Sequence, residues 1–293
     1  MNPTSPLIAY LALTTASLLW GGSFIAMKYA LGTFDPMIII FGRMAMGFAL
    51  LLPFAGKIRT ACSPRPGDLK LLLFMALCEP CLYFLFEANA LQYTSASQAG
   101  MITATLPLMV SMAAIPILKE KVSPGTLFGF GLAVAGVAWL SAAGVATEDA
   151  PNPVLGNILE VLAMASAVGY IITSKHLSTR YSPLYLTMFM AGAGTICFLP
   201  TLLLPGTQIP TSFPLGPCLA VAFLGICVTL GAFFCYNFGV KYLPTSQAAA
   251  FVNLIPVFTA FLGWLLLSEL FTPQQFAASA LVLGGVFISQ RKK

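Results

Sequence analysis

Two stretches decide the fold: SQAGMITATLPLMVSMAAIPILKEKVSP at residues 97–124 and SQAAAFVNLIPVFTAFLGWLLLSELFTP at residues 246–273. Each is an apolar run with a proline near its middle and one glutamate near its end. A shift of 149 aligns them without a gap, setting Pro107 on Pro256, Leu118 on Leu267, Glu120 on Glu269 and Pro124 on Pro273. The match extends outward. The same shift sets Gly136-Val137 on Gly285-Val286, a shift of 148 sets Phe86 on Phe234 and Asn89 on Asn237, and a shift of 147 sets Gly22 on Gly169, Lys28 on Lys175 and Pro36 on Pro183. A shift this steady reads as an internal duplication, with one half at residues 1–146 and the other at 147–293.

Composition names the solvent of both halves. The 293 residues are 58% hydrophobic and 8% charged, where soluble domains carry roughly 45–50% apolar and roughly 25% charged residues. So little charge cannot clothe a water-exposed surface, which excludes a cytosolic enzyme, a disordered chain and a nucleic-acid binder. The net charge of +5 does not restore nucleic-acid binding, because the basic residues sit in separate short loops. The apolar runs are continuous rather than alternating, which excludes a β-barrel.

A membrane-crossing helix needs about 20 mainly apolar residues. Breaking the chain at charges, prolines and glycine clusters predicts ten spans: Leu7–Leu31, Pro36–Ala55, Leu69–Leu91, Ala96–Leu118, Pro124–Ala143, Val154–Leu177, Pro183–Leu204, Pro214–Tyr242, Thr245–Leu267 and Pro273–Gln290. The first is read as a retained span, not a cleaved leader. With the N-terminus in the cytoplasm, 12 of the 14 Lys and Arg residues fall on the inner side, the asymmetry expected of a membrane protein with both termini inside. The expected fold is all-α. Five spans per half is an odd number, so the second half enters from the opposite side. Inverted repeats are a recurring plan of secondary transporters, with the substrate site near the midplane between the halves.

The motifs Leu19-Trp20-Gly21-Gly22-Ser23-Phe24, Phe41-Gly42-Arg43, Leu118-Lys119-Glu120-Lys121 and Ser268-Glu269 resemble those of the EamA-type drug/metabolite transporter superfamily. The resemblance covers almost the whole chain and is nearest to the YddG-like amino-acid exporters of its bacterial branch. It implies a multi-pass carrier of the bacterial inner membrane that moves a small metabolite, most simply an amino acid. A multidrug-type exporter of cationic or aromatic toxic compounds is the alternative.

Intramembrane charge is costly and marks function. Arg43, Glu79, Glu87 and Glu160 fall inside spans. Glu79 is the candidate for a substrate ammonium or a proton. Arg43 and Glu87 form a candidate structural pair, because the resembling family carries an arginine here outside its cavity-lining helices. Glu87 and Glu160 are expected to be wetted near the outer surface. Pro80, Pro107 and Pro256 interrupt spans and free carbonyls four residues earlier, so they are candidate kinks or flexing points. Trp20, Tyr83, Gln98, Thr103, Tyr170, Gln247 and Asn253 are candidate substrate contacts; an amino acid needs acceptors or an aromatic face for its ammonium and donors for its carboxylate. Tyr236 joins the same group, and the matched Asn89 and Asn237 read as helix packing. Gly125, Gly129, Gly131, Gly136 and Gly284-Gly285 read as contacts between helices or between two copies in a homodimer. Cys78 and Cys81 read as buried small residues. No catalytic set, metal site or cofactor motif is found. The expected partners are the lipid bilayer and a small-molecule substrate.

Overall fold

The computed structural model describes residues 6–60, 62–118, 124–243 and 251–290. Among these no β-strand occurs; the chain is a bundle of helices. Helices are the solution when no water is present to satisfy backbone N–H and C=O groups. The elements are α1 (Pro6–Leu31), α2 (Pro36–Leu51), α3 (Ala55–Thr60), α4 (Asp68–Ala76), α5 (Tyr83–Tyr93), α6 (Ala96–Ile102), α7 (Leu106–Leu118), α8 (Pro124–Ala142), α9 (Pro153–Leu177), α10 (Pro183–Phe198), α11 (Leu215–Phe223), α12 (Phe233–Tyr242), α13 (Ile255–Leu267) and α14 (Pro273–Gln290). Six helical stretches are long and apolar enough to cross a membrane: Leu7–Leu31, Pro36–Ile58, Asp68–Tyr93, Pro153–Leu177, Pro183–Leu203 and Leu215–Tyr242. Shorter apolar helices run over Leu127–Ala142, Val252–Leu267 and Pro273–Ile288.

Helix starts follow local chemistry. Proline opens α2, α9 and α10, where its missing N–H costs nothing. Just before it, Asp35, Asn152 and Ser182 each accept a hydrogen bond from a first-turn N–H. Large apolar side chains such as Leu11, Leu73, Phe128 and Trp264 stay exposed, as a lipid-facing surface requires.

The interruptions recur at the repeat shift. A wide turn at Leu77–Leu82 separates α4 from α5, and another at Leu224–Ala232 separates α11 from α12. Tight 3-10 turns at Thr103–Thr105 and Val252–Leu254 precede Pro107 and Pro256, and they correct the expectation of freed carbonyls: the Leu106 N–H donates to the Thr103 carbonyl and the Ile255 N–H to the Val252 carbonyl, so the tighter turn satisfies both. Packing recurs too. α5 lies on α9 as α12 lies on α1, α7 on α9 as α13 on α1, and α8 packs along α14. Gly136 faces Val282 and Gly285 faces the Gly129 carbonyl, so these small residues serve contacts within the chain.

Two lysines show the correspondence in side chains. Lys28 Nζ donates to the carbonyls of Leu91 (2.6 Å) and Thr94 (2.8 Å) at the end of α5, and also to that of Asp149. Lys175 Nζ donates to Val240 (2.6 Å) and Leu243 (2.9 Å) at the end of α12. Each cation meets the negative end of a helix. Beyond α9, Arg180 grips Asp68 with Nη2–Oδ1 at 2.6 Å and Nε–Oδ2 at 3.1 Å. In the same turn, burial and the Asp68 charge push the Tyr181 phenol up to about 12.

Candidate functional site

The broken helices converge on a central cavity. Trp20 and Ser23 of α1, Arg43 of α2, Glu79 of the first wide turn, and Tyr83, Phe84 and Glu87 of α5 line one side. Thr103 and Leu106, then Met164, Ala167, Tyr170 and Ile171 of α9, and Tyr236, Val252 and Ile255 complete it. Both halves of the chain therefore supply its wall. About 40 Å³ is open to the centres of water molecules, and each water needs roughly 10–15 Å³ by that measure. The cavity has room for a few waters and, in this conformation, is too small for a metabolite.

Its electrostatics centre on Arg43, which is 1% exposed. Arg43 Nη1 lies 4.0 Å from Glu87 Oε2. Its Nε donates to Thr229 Oγ1 at 3.3 Å, and its guanidinium carbon stands 4.1 Å above the Phe84 ring. Tyr83 donates its hydroxyl to Glu87 Oε1 at 2.8 Å. Glu79 reaches the wall because the helix opens there: its backbone is extended (φ −148°, ψ 120°), and the following Pro80 has no N–H to donate. Trp20 packs at 4.9 Å on Tyr236, and Tyr170 at 6.2 Å on the same ring. The Tyr170 hydroxyl donates to Asn237 Oδ1 at 3.1 Å, whereas the buried Tyr236 hydroxyl has no hydrogen-bond partner.

The structure sorts the candidate residues. Trp20, Glu79, Tyr83, Thr103 and Tyr170 meet at the cavity, and so do Arg43 and Glu87. The expectation of wetted outer carboxylates is corrected: Glu87 is 3% exposed and Glu160 is 0% exposed, because α5 and α9 close over them. Gln98 lies elsewhere. It accepts from Asn157 Nδ2 at 3.0 Å and lines a second cavity of about 610 Å³, with Lys28, Ser95, Asp149, Glu269 and Gln275. There Glu269 accepts from the N–H groups of Ala96 (2.9 Å) and Ser97 (2.8 Å). Asn253 has its Oδ1 buried and unpartnered, outside the central wall. Gln247 lies outside the described residues. Pro80, Pro107 and Pro256 shape the helices without lining the cavity. Asn237 is a buried packing hub, but its repeat mate Asn89 bonds only its own helix and Gln92. Phe84 and Thr229, the two supports of Arg43, carry no sequence signal.

An all-helical bundle with an apolar exterior and broken helices around a charged central cavity fits the class of membrane transporters. This chain belongs to the EamA-like transporter family, whose sequence model matches residues 7–142 and again residues 154–290. It is 30% identical to the uncharacterized transporter YcxC of Bacillus subtilis, over 95% of this chain and 91% of that one. It is 28% identical to an S-adenosylmethionine/S-adenosylhomocysteine transporter of Chlamydia trachomatis, over 92% and 85% of the two chains. It is 24% identical to a probable terminal-alkyne amino-acid exporter of Streptantibioticus cattleyicolor, over 96% and 93%. A solved crystal structure shares the fold, with TM-score 0.68 over 96% of this chain and 97% of that one at 22% identity.

Proposed function

We propose that this transporter is a ten-span carrier of two inverted five-helix repeats, residues 1–146 and 147–293, that exports an amino acid or a similar zwitterion by alternating access. The observation that carries the reading is the central wall itself, where one guanidinium and two carboxylates stand among aromatic rings. Arg43 offers donors for a substrate carboxylate. Glu79, Glu87 and the faces of Trp20, Tyr83, Tyr170 and Tyr236 offer partners for an ammonium. The recurring breaks, the paired lysine caps and the double family match support the repeat; its inversion follows from an odd number of spans. The charge partition supports an inner membrane with both termini in the cytoplasm. Two relatives named as transporters of an amino acid and of S-adenosylmethionine, itself an amino-acid derivative, support the substrate class.

The second reading is export of cationic or aromatic toxic compounds. Two carboxylates to one guanidinium, in a wall rich in aromatic rings, favour it.

The test is uptake into proteoliposomes from a panel of labelled amino acids and labelled tetraphenylphosphonium. Saturable uptake of amino acids supports the first reading. Uptake of the lipophilic cation alone would overturn it in favour of the second. For the repeat, single cysteines near Lys121 and near Leu270 should be labelled from opposite faces; labelling from one face would refute inversion.

A further inference from the structure

We infer that Glu160 is a proton-binding site which, with Glu87, couples transport to protons. The inference rests on the carrier reading above. The antiparallel contact of α5 with α9 has a steady register: Gly156 faces Ala90 and Thr94, and Gly169 faces Cys78. That register sets Glu160 opposite Glu87, and the charge of Glu87 acts on it. Glu160 is fully buried, and both of its carboxyl oxygens lack a hydrogen-bond partner. Glu87 differs: Tyr83 and Arg43 engage it from two sides.

The groups that face this pair are few. Tyr83 stands beside it on α5, Arg43 reaches Glu87 from α2, and Glu79 stands on the wide turn, with Cys78 next to it in the chain and Tyr236 of α12 on the same cavity wall. Among the described residues α6, α7 and α8 present no titratable side chain. The cluster thus holds three carboxyl groups and one cation. An isolated buried carboxylate is far more costly than a neutral acid, and of two carboxyl groups sharing a buried site one is held protonated by the charge of the other. Neither Glu79 nor Glu160 has a cation in contact, but Glu79 lines the cavity, whereas Glu160 lies off the wall with both oxygens sealed and unpartnered, so Glu160 is the carboxyl that carries the proton. Glu160 lies one turn along α9 from Met164, which lines the cavity. A proton leaving it meets Glu87 first and then the site where a substrate ammonium would bind. Proton and ammonium then compete for one excess of negative charge, the condition for exchange of one against the other.

The test is infrared titration of the full-length protein in lipid, with carbon-13-labelled glutamate. At neutral pH the wild type should show a glutamic-acid C=O band from a buried group. The band should be lost in E160Q and retained in E79Q. Absence of any glutamic-acid band in the wild type would overturn the proposal without any variant, as would an unchanged band in E160Q. In proteoliposomes E160Q should keep exchange of labelled amino acid but lose its response to an imposed pH gradient; an unchanged response would overturn the coupling role. If the wild type takes up no amino acid while the band assignment holds, the substrate reading fails and the proton site stands.

Discussion

Consider Gly21→Ala beside Gly22→Ala. The two glycines are adjacent on α1, next to Trp20 of the cavity wall, and the structure separates them sharply. A Cβ on Gly21 would lie 2.7 Å from Phe258 Cβ and 3.3 Å from both the Ile255 carbonyl oxygen and the Thr259 N on α13. Carbon atoms in ordinary contact stand about 3.5–4.0 Å apart, so α1 and α13 must separate by about 1 Å. The contacting atoms belong to or move with the α13 backbone, so no side-chain rotation relieves the overlap. Separation also lengthens the 3.2 Å hydrogen bond from Thr259 Oγ1 to the Gly21 carbonyl. A Cβ on Gly22 meets the Phe223 ring at 3.5 Å and Leu262 Cδ1 at 3.8 Å, both ordinary contacts. Overpacking costs about 1–3 kcal/mol, while Ala in place of Gly in a helix favours folding by about 0.5–1 kcal/mol. Gly22→Ala should therefore gain that helix increment. Gly21→Ala should fall between no change and a loss of about 2.5 kcal/mol. The helix term cancels in the comparison and leaves a gap of about 1–3 kcal/mol. Unfolding by sodium dodecyl sulfate from dodecyl maltoside micelles, followed by tryptophan fluorescence, measures it. Equal midpoints for the two variants would refute the contact of α1 with α13.

Three further outcomes follow from the same reasoning. Arg43→Gln leaves buried carboxylates without their cation and should destabilise by about 3–5 kcal/mol in the same unfolding assay; Glu87→Gln, which keeps a hydrogen-bonding group beside Tyr83, should cost less. Tyr236→Phe removes a buried hydroxyl that has no partner and should stabilise by about 1–3 kcal/mol, whereas Tyr170→Phe loses its bond to Asn237 and should cost about 0.5–1.5 kcal/mol. If Tyr236 contacts substrate, its variant should also raise the concentration for half-maximal uptake in proteoliposomes. Lys28→Met and Lys175→Met each strip a charged donor from two or more helix-end carbonyls and should each lose at least the about 1.5–3 kcal/mol of one charged hydrogen bond; a neutral Lys175→Met would remove the parallel between the two lysines.

Much of this architecture could be read from residues. Prolines recurring at one shift marked two of the places where the structure breaks its helices, before Pro107 and Pro256, and Glu79 and Tyr83 stood out because polar groups are scarce in such a chain. What could not be read was facing. In a soluble helix the apolar stripe names the buried side, but in lipid both the packed and the solvent face are apolar, and the sequence loses that signal. Gln98 and Thr103 illustrate it. They lie on one helical stretch only about 7.5 Å apart by helix rise, yet they open onto different cavities. Glu160 illustrates it again: distance from the span end suggested wetting, while the partner helix that seals it is set by Gly156 closing on Ala90 and Thr94.

The two cavities, taken with the charges, constrain how a transporter of this shape works. Gln98 borders the large cavity and Thr103 the small one, so little more than one helical turn divides a space of about 610 Å³ from one of about 40 Å³. Opening that division would admit water to Arg43, Glu79 and Glu87, and water stabilises each of them. Closing it again over an empty site would strip that hydration while leaving more carboxyl groups than cations. Closure is therefore favoured by whatever neutralises the excess, whether a proton or a substrate ammonium, and disfavoured without it. A pore has no such requirement. Under the alternating-access reading, this charge imbalance makes passage obligatory in loaded form, and it ties the direction of net transport to the gradients of the two ligands that can satisfy the same carboxylates.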